Sequence, residues 1–245
     1  MIKYHGTPIG GKHTDAVEVL RGRHGLVSFA HPEQLSIVMD MCQSFVLDNG
    51  AFSKWKKTGD PIDFHAYVRW VTGIYRHPRF DWCLIPDVID GDEDTNSGLV
   101  LDWVRMGLRV KGVPVWHLHE SLEYLAWLVE DFEWVALGSS GEWPNPGTKG
   151  WWGRMNQAMK VCCDDSGRPK CKLHGLRMLN PEIFRHLPLA SADSTNAAIH
   201  NNDISRFGMY APPSAGARAA VIASRIEAHN SAAQWGGRTQ HELFG

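Results

Sequence analysis

The sequence has no uninterrupted apolar run near the roughly 18 residues that would span a bilayer. Its first residues, Met1 to His13, hold no apolar signal stretch. No membrane association and a cytoplasmic setting are therefore expected. Cysteine is scarce and odd in number, with five residues at Cys42, Cys83, Cys162, Cys163 and Cys171. That argues against a secreted disulfide framework. A surplus of charge is also missing: 25 Lys and Arg face 27 Asp and Glu, for a formal net charge of -2 with 13 histidines neutral. There is no internal repeat, low-complexity tract or obvious linker. Neither glycine-rich nucleotide fingerprint, the P-loop or GxGxxG, is present, so nucleotide-cofactor chemistry has little support and no cofactor is expected.

What remains is ordinary globular composition, 43% hydrophobic and 21% charged. The length fits a single α/β barrel domain, which runs to about 250 residues. Short apolar runs at Ile2–His5, Leu26–Ala30, Ser44–Asp48, Asp81–Pro86, Pro114–His119, Trp134–Gly138, Lys172–Arg177 and Leu189–Asp193 predict eight strands. Phe64, Tyr67, Val68, Val71, Ile74 and Tyr75 recur at helical spacing, as do Leu122, Leu125, Ala126 and Val129. Strands alternating with helices imply a parallel sheet with covered faces. The expected fold is therefore α/β, a (β/α)8 TIM-like barrel that is irregular over its short first two units. An open doubly wound sheet is the alternative. Ala217 to His229 reads as a C-terminal helix within the tail Ala211–Gly245.

In barrel enzymes the reactive groups stand at the C-terminal ends of the strands. Here those ends carry Asp48 and Asn49, Asp87, His117 and His119, the turn Gly138-Ser139-Ser140-Gly141, His174, and Asp193 followed by Asn196. Three aspartates at three strand ends would face one cavity. Crowded carboxylates raise one another's pKa, so one holds a proton while another stays ionised. That division serves acid/base work together with nucleophilic attack, as glycosyl transfer requires. The competing reading is that each aspartate caps the helix that follows it. His117 and His119, two apart on a strand, would share a face and with the aspartates could bind a catalytic metal. This keeps a metal-dependent barrel hydrolase open, although a metal is not the expectation. Cys162, Cys163, Cys171 and His174 are spaced CC-x7-C-x2-H, unlike a zinc site, and read as structural.

Of the 11 tryptophans, Trp70, Trp103, Trp127 and Trp134 fall in element patterns and read as core. Trp55 lies among Lys54, Lys56 and Lys57, and Trp151-Trp152 lies between Lys149 and Arg154. Cations beside aromatics grip phosphates and stack bases. Lys54, Lys56, Lys57, Trp151, Trp152, Arg154 and Asn196 are thus candidate nucleic-acid contacts.

Taken in order, the strand ends resemble those of the tRNA-guanine transglycosylases, especially the compact phage relatives that insert 7-deazaguanines into DNA. Asp48-Asn49-Gly50-Ala51-Phe52 is similar to the family's Asp-Ser-Gly-Gly/Ala-Phe segment, Ile85-Pro86-Asp87 to its guanine-reading strand end, and Gly138-Ser139-Ser140-Gly141-Glu142 to its base-binding loop. His117 to His119 falls on the strand where the family reads the base with glutamine, Leu173-His174-Gly175 on a pocket strand, and Ala192-Asp193-Ser194 at the nucleophile. The resemblance covers roughly residues 40 to 196. The family's CxCxxC…H zinc subdomain and any RNA-binding domain are missing, which favours DNA over tRNA. The resemblance implies Asp193 as nucleophile and Asp48 as general acid/base. It implies a base pocket of Asp87, His117, His119, Gly138, Ser139, Ser140, His174, Asn49 and Phe52, with DNA and a free 7-deazaguanine base as partners. Exchange in tRNA, or a catalytically inert nucleic-acid-binding barrel, are the alternatives.

Overall fold

The computed structural model describes residues 1–200 and 203–236. The strands are β1 (Ile2–Gly6), β2 (His24–Ser28), β3 (Ser44–Asp48), β4 (Phe80–Leu84), β5 (Gly112–Val113), β6 (Val115–His117), β7 (Trp134–Gly138), β8 (Lys172–Gly175) and β9 (Ser191–Ser194). The helices are α1 (His13–Leu20), α2 (Leu35–Met41), α3 (Ala51–Thr58), α4 (Phe64–Ile74), α5 (Glu93–Arg105), α6 (Leu122–Asp131), α7 (Lys149–Cys162), α8 (Pro181–Phe184), α9 (Asn196–His200) and α10 (Ala215–Glu227). Every strand pairing is parallel, in the order β5-β4-β3-β2-β1-β9-β8-β7-β6. This is a nearly closed TIM-like barrel with helices outside.

Nine strands stand where eight are expected because a two-residue strand, Gly112–Val113, precedes Pro114, the first residue of the expected fifth. Proline brings no N–H to a ladder. The piece before it pairs with β4 (Leu84 opposite Val113) and the piece after it with β7 (Val115 opposite Ala136). Ile85 N–H donates to the Val113 carbonyl at 2.8 Å and Ala136 N–H to the Pro114 carbonyl at 2.9 Å. The two edges of the sheet are thus consecutive pieces of one chain, joined through the proline. Boundaries also shift: β2 starts and ends two residues before the expected run, β9 starts two residues after it, and α10 begins two residues earlier. Of the expected tail, residues 237–245 lie outside the described residues.

The two-residue period of a strand sorts the side chains. Tyr4, Leu26, Val46, Trp82, Leu84, Val113, Val115, Trp134 and Ala136 form one buried cluster, the barrel lumen. Their neighbours Val27, Phe45, Leu47, Cys83, Trp116 and Val135 belong to the larger core beneath the helices. The lower lumen is plugged by rings: Tyr4 against Trp82 at 5.7 Å, Trp82 against Trp134 at 5.8 Å and against His174 at 4.8 Å. Continuing the same parity by one step puts Ser28, Asp48, His117 and Gly138 inward at the upper end. The fold places its chemistry by this count of two.

Outside the barrel, α10 packs beside α1. Asp15 Oδ1 accepts Gly216 N–H at 2.9 Å. Glu227 is bound by Arg23 Nε at 3.1 Å and His5 Nε2 at 3.0 Å. Among the described residues no helix is long and apolar enough to cross a membrane.

Candidate active site

A cavity of about 460 Å³ opens at the C-terminal ends of the strands. That volume suits a small planar ligand. Asp48, Asp87 and Asp193 all line it, with Asn49, Phe52, Lys56, His117, Gly138, Ser139 and Arg177. The three aspartates arrive from β3, the loop after β4, and β9. Capping does not account for the first two. Helix α5 is capped by Asp92, whose carboxylate accepts Thr95 N–H at 2.9 Å. The N-cap of α3 is Gly50, at φ 79°. A Cβ there would lie 2.8 Å from the Ala30 backbone nitrogen, so the turn after Asp48 requires glycine.

Asp48 accepts Gly50 N–H at 3.1 Å. Burial, offset in part by the Ser28 hydroxyl, then the charges of Asp193 and Asp87, push its carboxyl up from 3.8 to about 6. Asp87 is gripped on both oxygens. Asn49 Nδ2 donates to Oδ1 at 2.5 Å, and His117 Nε2 donates to Oδ2 at 2.7 Å. Burial alone would lower the His117 pKa, but the hydrogen bond and charge of Asp87, with Glu120, outweigh it and hold the imidazolium above the ordinary histidine value. Each Asp87 oxygen keeps a second lone pair for a ligand.

Asp193 is held on one oxygen. His174 Nε2 donates to Oδ1 at 3.2 Å and Arg177 N–H donates to the same atom at 3.0 Å. Oδ2 takes no hydrogen bond from the described residues. His174 is wholly buried, with Ser191 Oγ 2.8 Å from Nδ1. It sits behind Asp193 rather than on the cavity wall, so it orients the carboxylate instead of touching a ligand.

Other expected site residues stand elsewhere. His119 falls past the end of β6, in a turn. Its Nδ1 pairs with Ser140 Oγ at 2.8 Å and its Nε2 donates to the Gly91 carbonyl at 2.9 Å. Neither His119 nor Ser140 lines the cavity. With His117 committed to Asp87, the two histidines do not assemble a metal site. Among the described residues no group of three or more His, Cys, Asp or Glu is placed to hold a metal ion. Cys162 and Cys163 are buried, and His174 is turned to Ser191 and Asp193.

The nucleic-acid candidates divide. Trp151 and Trp152 are 0% and 5% exposed and cannot stack on a base. Trp151 Nε1 donates instead to Ser139 Oγ at 2.9 Å. Arg154 turns inward, its Nε donating to the Leu118 carbonyl at 2.8 Å and its guanidinium lying over Trp116 and Trp143. Asn196 accepts from Arg206 at 3.0 Å and is no part of the cavity wall. Lys56 and Lys57 remain exposed on α3 beside Trp55, Lys54 is partly buried there, and Lys56 reaches the cavity.

Two residues escape sequence reasoning. Glu120 is buried, accepting His117 N–H at 2.7 Å and Asn96 Nδ2 at 2.8 Å; burial raises its pKa. It fixes the backbone that presents His117, and only its place three residues beyond a strand-end histidine hints at this. Arg177 lines the cavity from just past the end of β8, and its place as the last residue of the expected strand Lys172–Arg177 is its one mark in the sequence. Comparison with known proteins finds no matching family model and no matching curated protein.

Proposed function

We propose that this barrel exchanges guanine in DNA for a 7-deazaguanine base, with no metal or nucleotide cofactor in the reaction. The observation that carries the reading is the placement of Asp48, Asp87 and Asp193 on one cavity with three different environments. The target nucleotide leaves the stack to reach a pocket at a barrel mouth. Asp193, oriented on Oδ1 and taking no hydrogen bond on Oδ2 from the described residues, attacks C1′ of the sugar. The glycosidic bond breaks and a covalent glycosyl-enzyme forms. Asp48, protonated below about 6, gives its proton to the departing base. In the second half-reaction it takes one from the incoming base as that base's nitrogen attacks C1′ and releases Asp193. Asp87 accepts hydrogen bonds from the N1–H and amino group of guanine, an edge that a 7-deazaguanine shares. Lys54, Lys56 and Lys57 on α3 meet the phosphates.

The test is incorporation of labelled guanine and 7-deazaguanines into duplex DNA, single-stranded DNA and tRNA, with Asp193→Asn as control. Label entering DNA, absent from tRNA and lost in the variant, supports the reading. Label entering tRNA alone moves the substrate to RNA. No label in any polymer overturns base exchange.

A further inference from the structure

Arg177 is a charged residue of the cavity wall to which the proposed reaction gives no task. It is the one non-glycine residue at positive φ among the described residues, at 57°. Such a backbone persists only where its surroundings over-determine it, and it clusters at ligand clamps. Here the conformation serves two contacts at once. The backbone N–H holds Asp193 Oδ1 at 3.0 Å. The side chain crosses the mouth: Nη2 donates to the Ser139 carbonyl at 3.0 Å, and the guanidinium carbon lies 4.2 Å from the Phe52 ring centroid. Strands β8 and β3 are separated by three others in the sheet order, so this contact spans the opening.

We infer that Arg177 is the second wall of a base slot, and that a planar purine base stacks between its guanidinium and the Phe52 ring. The identity of the ligand rests on the base-exchange reading; the slot itself does not need catalysis. A guanidinium plane stacks on aromatic faces and on bases alike. In the structure the two walls lie against each other. Each stacked layer needs about 3.5 Å, so a base must widen the gap from 4.2 Å to about 7 Å. Rotation about the arginine side-chain bonds supplies that, at the loss of the Ser139 hydrogen bond. Because it is the backbone N–H of Arg177 that holds Asp193, the side chain can swing aside without releasing the nucleophile. Arg177 is on this account a substrate-positioning residue.

Two substitutions separate its parts. Arg177→Gly suits the left-handed backbone, so the N–H on Asp193 stays while the plane is lost. Arg177→Lys keeps the charge without the plane. Equilibrium dialysis of labelled guanine against wild type and both variants, at low and high salt, is read beside KM and kcat for exchange. Both variants should weaken guanine binding on the order of tenfold, equally at either salt, with KM raised and kcat nearly kept. Full binding by Arg177→Lys, wild-type affinity in Arg177→Gly, or no guanine binding by the wild type would each overturn the slot. So would a loss seen only with a DNA strand and erased by salt, which would make Arg177 a phosphate contact. Guanine binding that Arg177→Gly weakens, in a protein that transfers no base to any polymer, would uphold the slot and remove the reaction.

Discussion

Replacing Asp48 by Asn should make the protein more stable while it destroys the proposed exchange. Burial, with the charges of Asp193 and Asp87, lifts the Asp48 carboxyl from 3.8 to about 6. Between those values the folded chain holds a proton that the unfolded chain has released. The wild-type protein therefore has its full stability from this group below about pH 4, and loses it as pH rises through about 6. A displacement of about 2 units at about 1.4 kcal/mol each gives about 3 kcal/mol as the upper cost of an ionised Asp48 at pH 8. The carboxyl keeps some contact with solvent, which brings the expected effect to about 1–2 kcal/mol. Asn resembles the protonated acid and still accepts from Gly50 N–H. Urea unfolding of both proteins at pH 4 and pH 8 measures the difference. The two should coincide at pH 4, and Asp48→Asn should be the more stable at pH 8, with exchange reduced on the order of 10²-fold or more. An equal offset at both pH values, or a less stable variant at pH 8, would refute the electrostatic account of the site.

Three further outcomes follow from the same geometry. His117 sits above its ordinary 6.5 because Asp87 and Glu120 outweigh desolvation, so its pairing adds stability that is complete below 6.5 and fades as pH rises past the raised value; His117→Gln should destabilise more at pH 6 than at pH 9 in thermal unfolding. Trp151→Phe removes the indole donor to Ser139 and should cost about 1 kcal/mol in urea unfolding, with DNA affinity unchanged; a large loss of DNA affinity without loss of stability would return Trp151 to the surface. Changing Lys54, Lys56 and Lys57 together to Gln should weaken DNA binding and lower the slope of log affinity against log salt by up to about 3, read by fluorescence anisotropy across a salt series.

The barrel was legible where period and punctuation agree. Each of the eight expected strands exists, and Asp48, Asp87 and Asp193 stand on one cavity as three strand-end carboxylates should. Pro114 was visible in the sequence as the first residue of the expected fifth strand, but its effect depends on what lies on either side, which is tertiary. Trp151 and Trp152 have lysine and arginine neighbours that suggest a surface, but helical spacing buries both on α7. Trp151, Met155, Ala158, Met159 and Cys162 are the buried face of α7, a pattern open to reading. His119 illustrates the limit of strand parity: the alternation ends with the strand, and β6 stops at His117. Arg177 was marked only as the last residue of an expected strand; its left-handed backbone leaves no sign in composition or period.

The pairing of β1 bears on how the chain reaches its native state. Tyr4 lies opposite both His24 and Asp193, so the first strand acquires one partner within about twenty residues and the other only near the end of the ring. Such long-range closure is slow, because the entropy of the intervening loop must be overcome before the contact returns anything. On the ribosome β1 would wait with one edge bare while most of the barrel is made. Until β9 emerges, Asp193 and the cavity it completes do not exist, so ligand binding in that cavity should appear in one late step rather than grow with chain length.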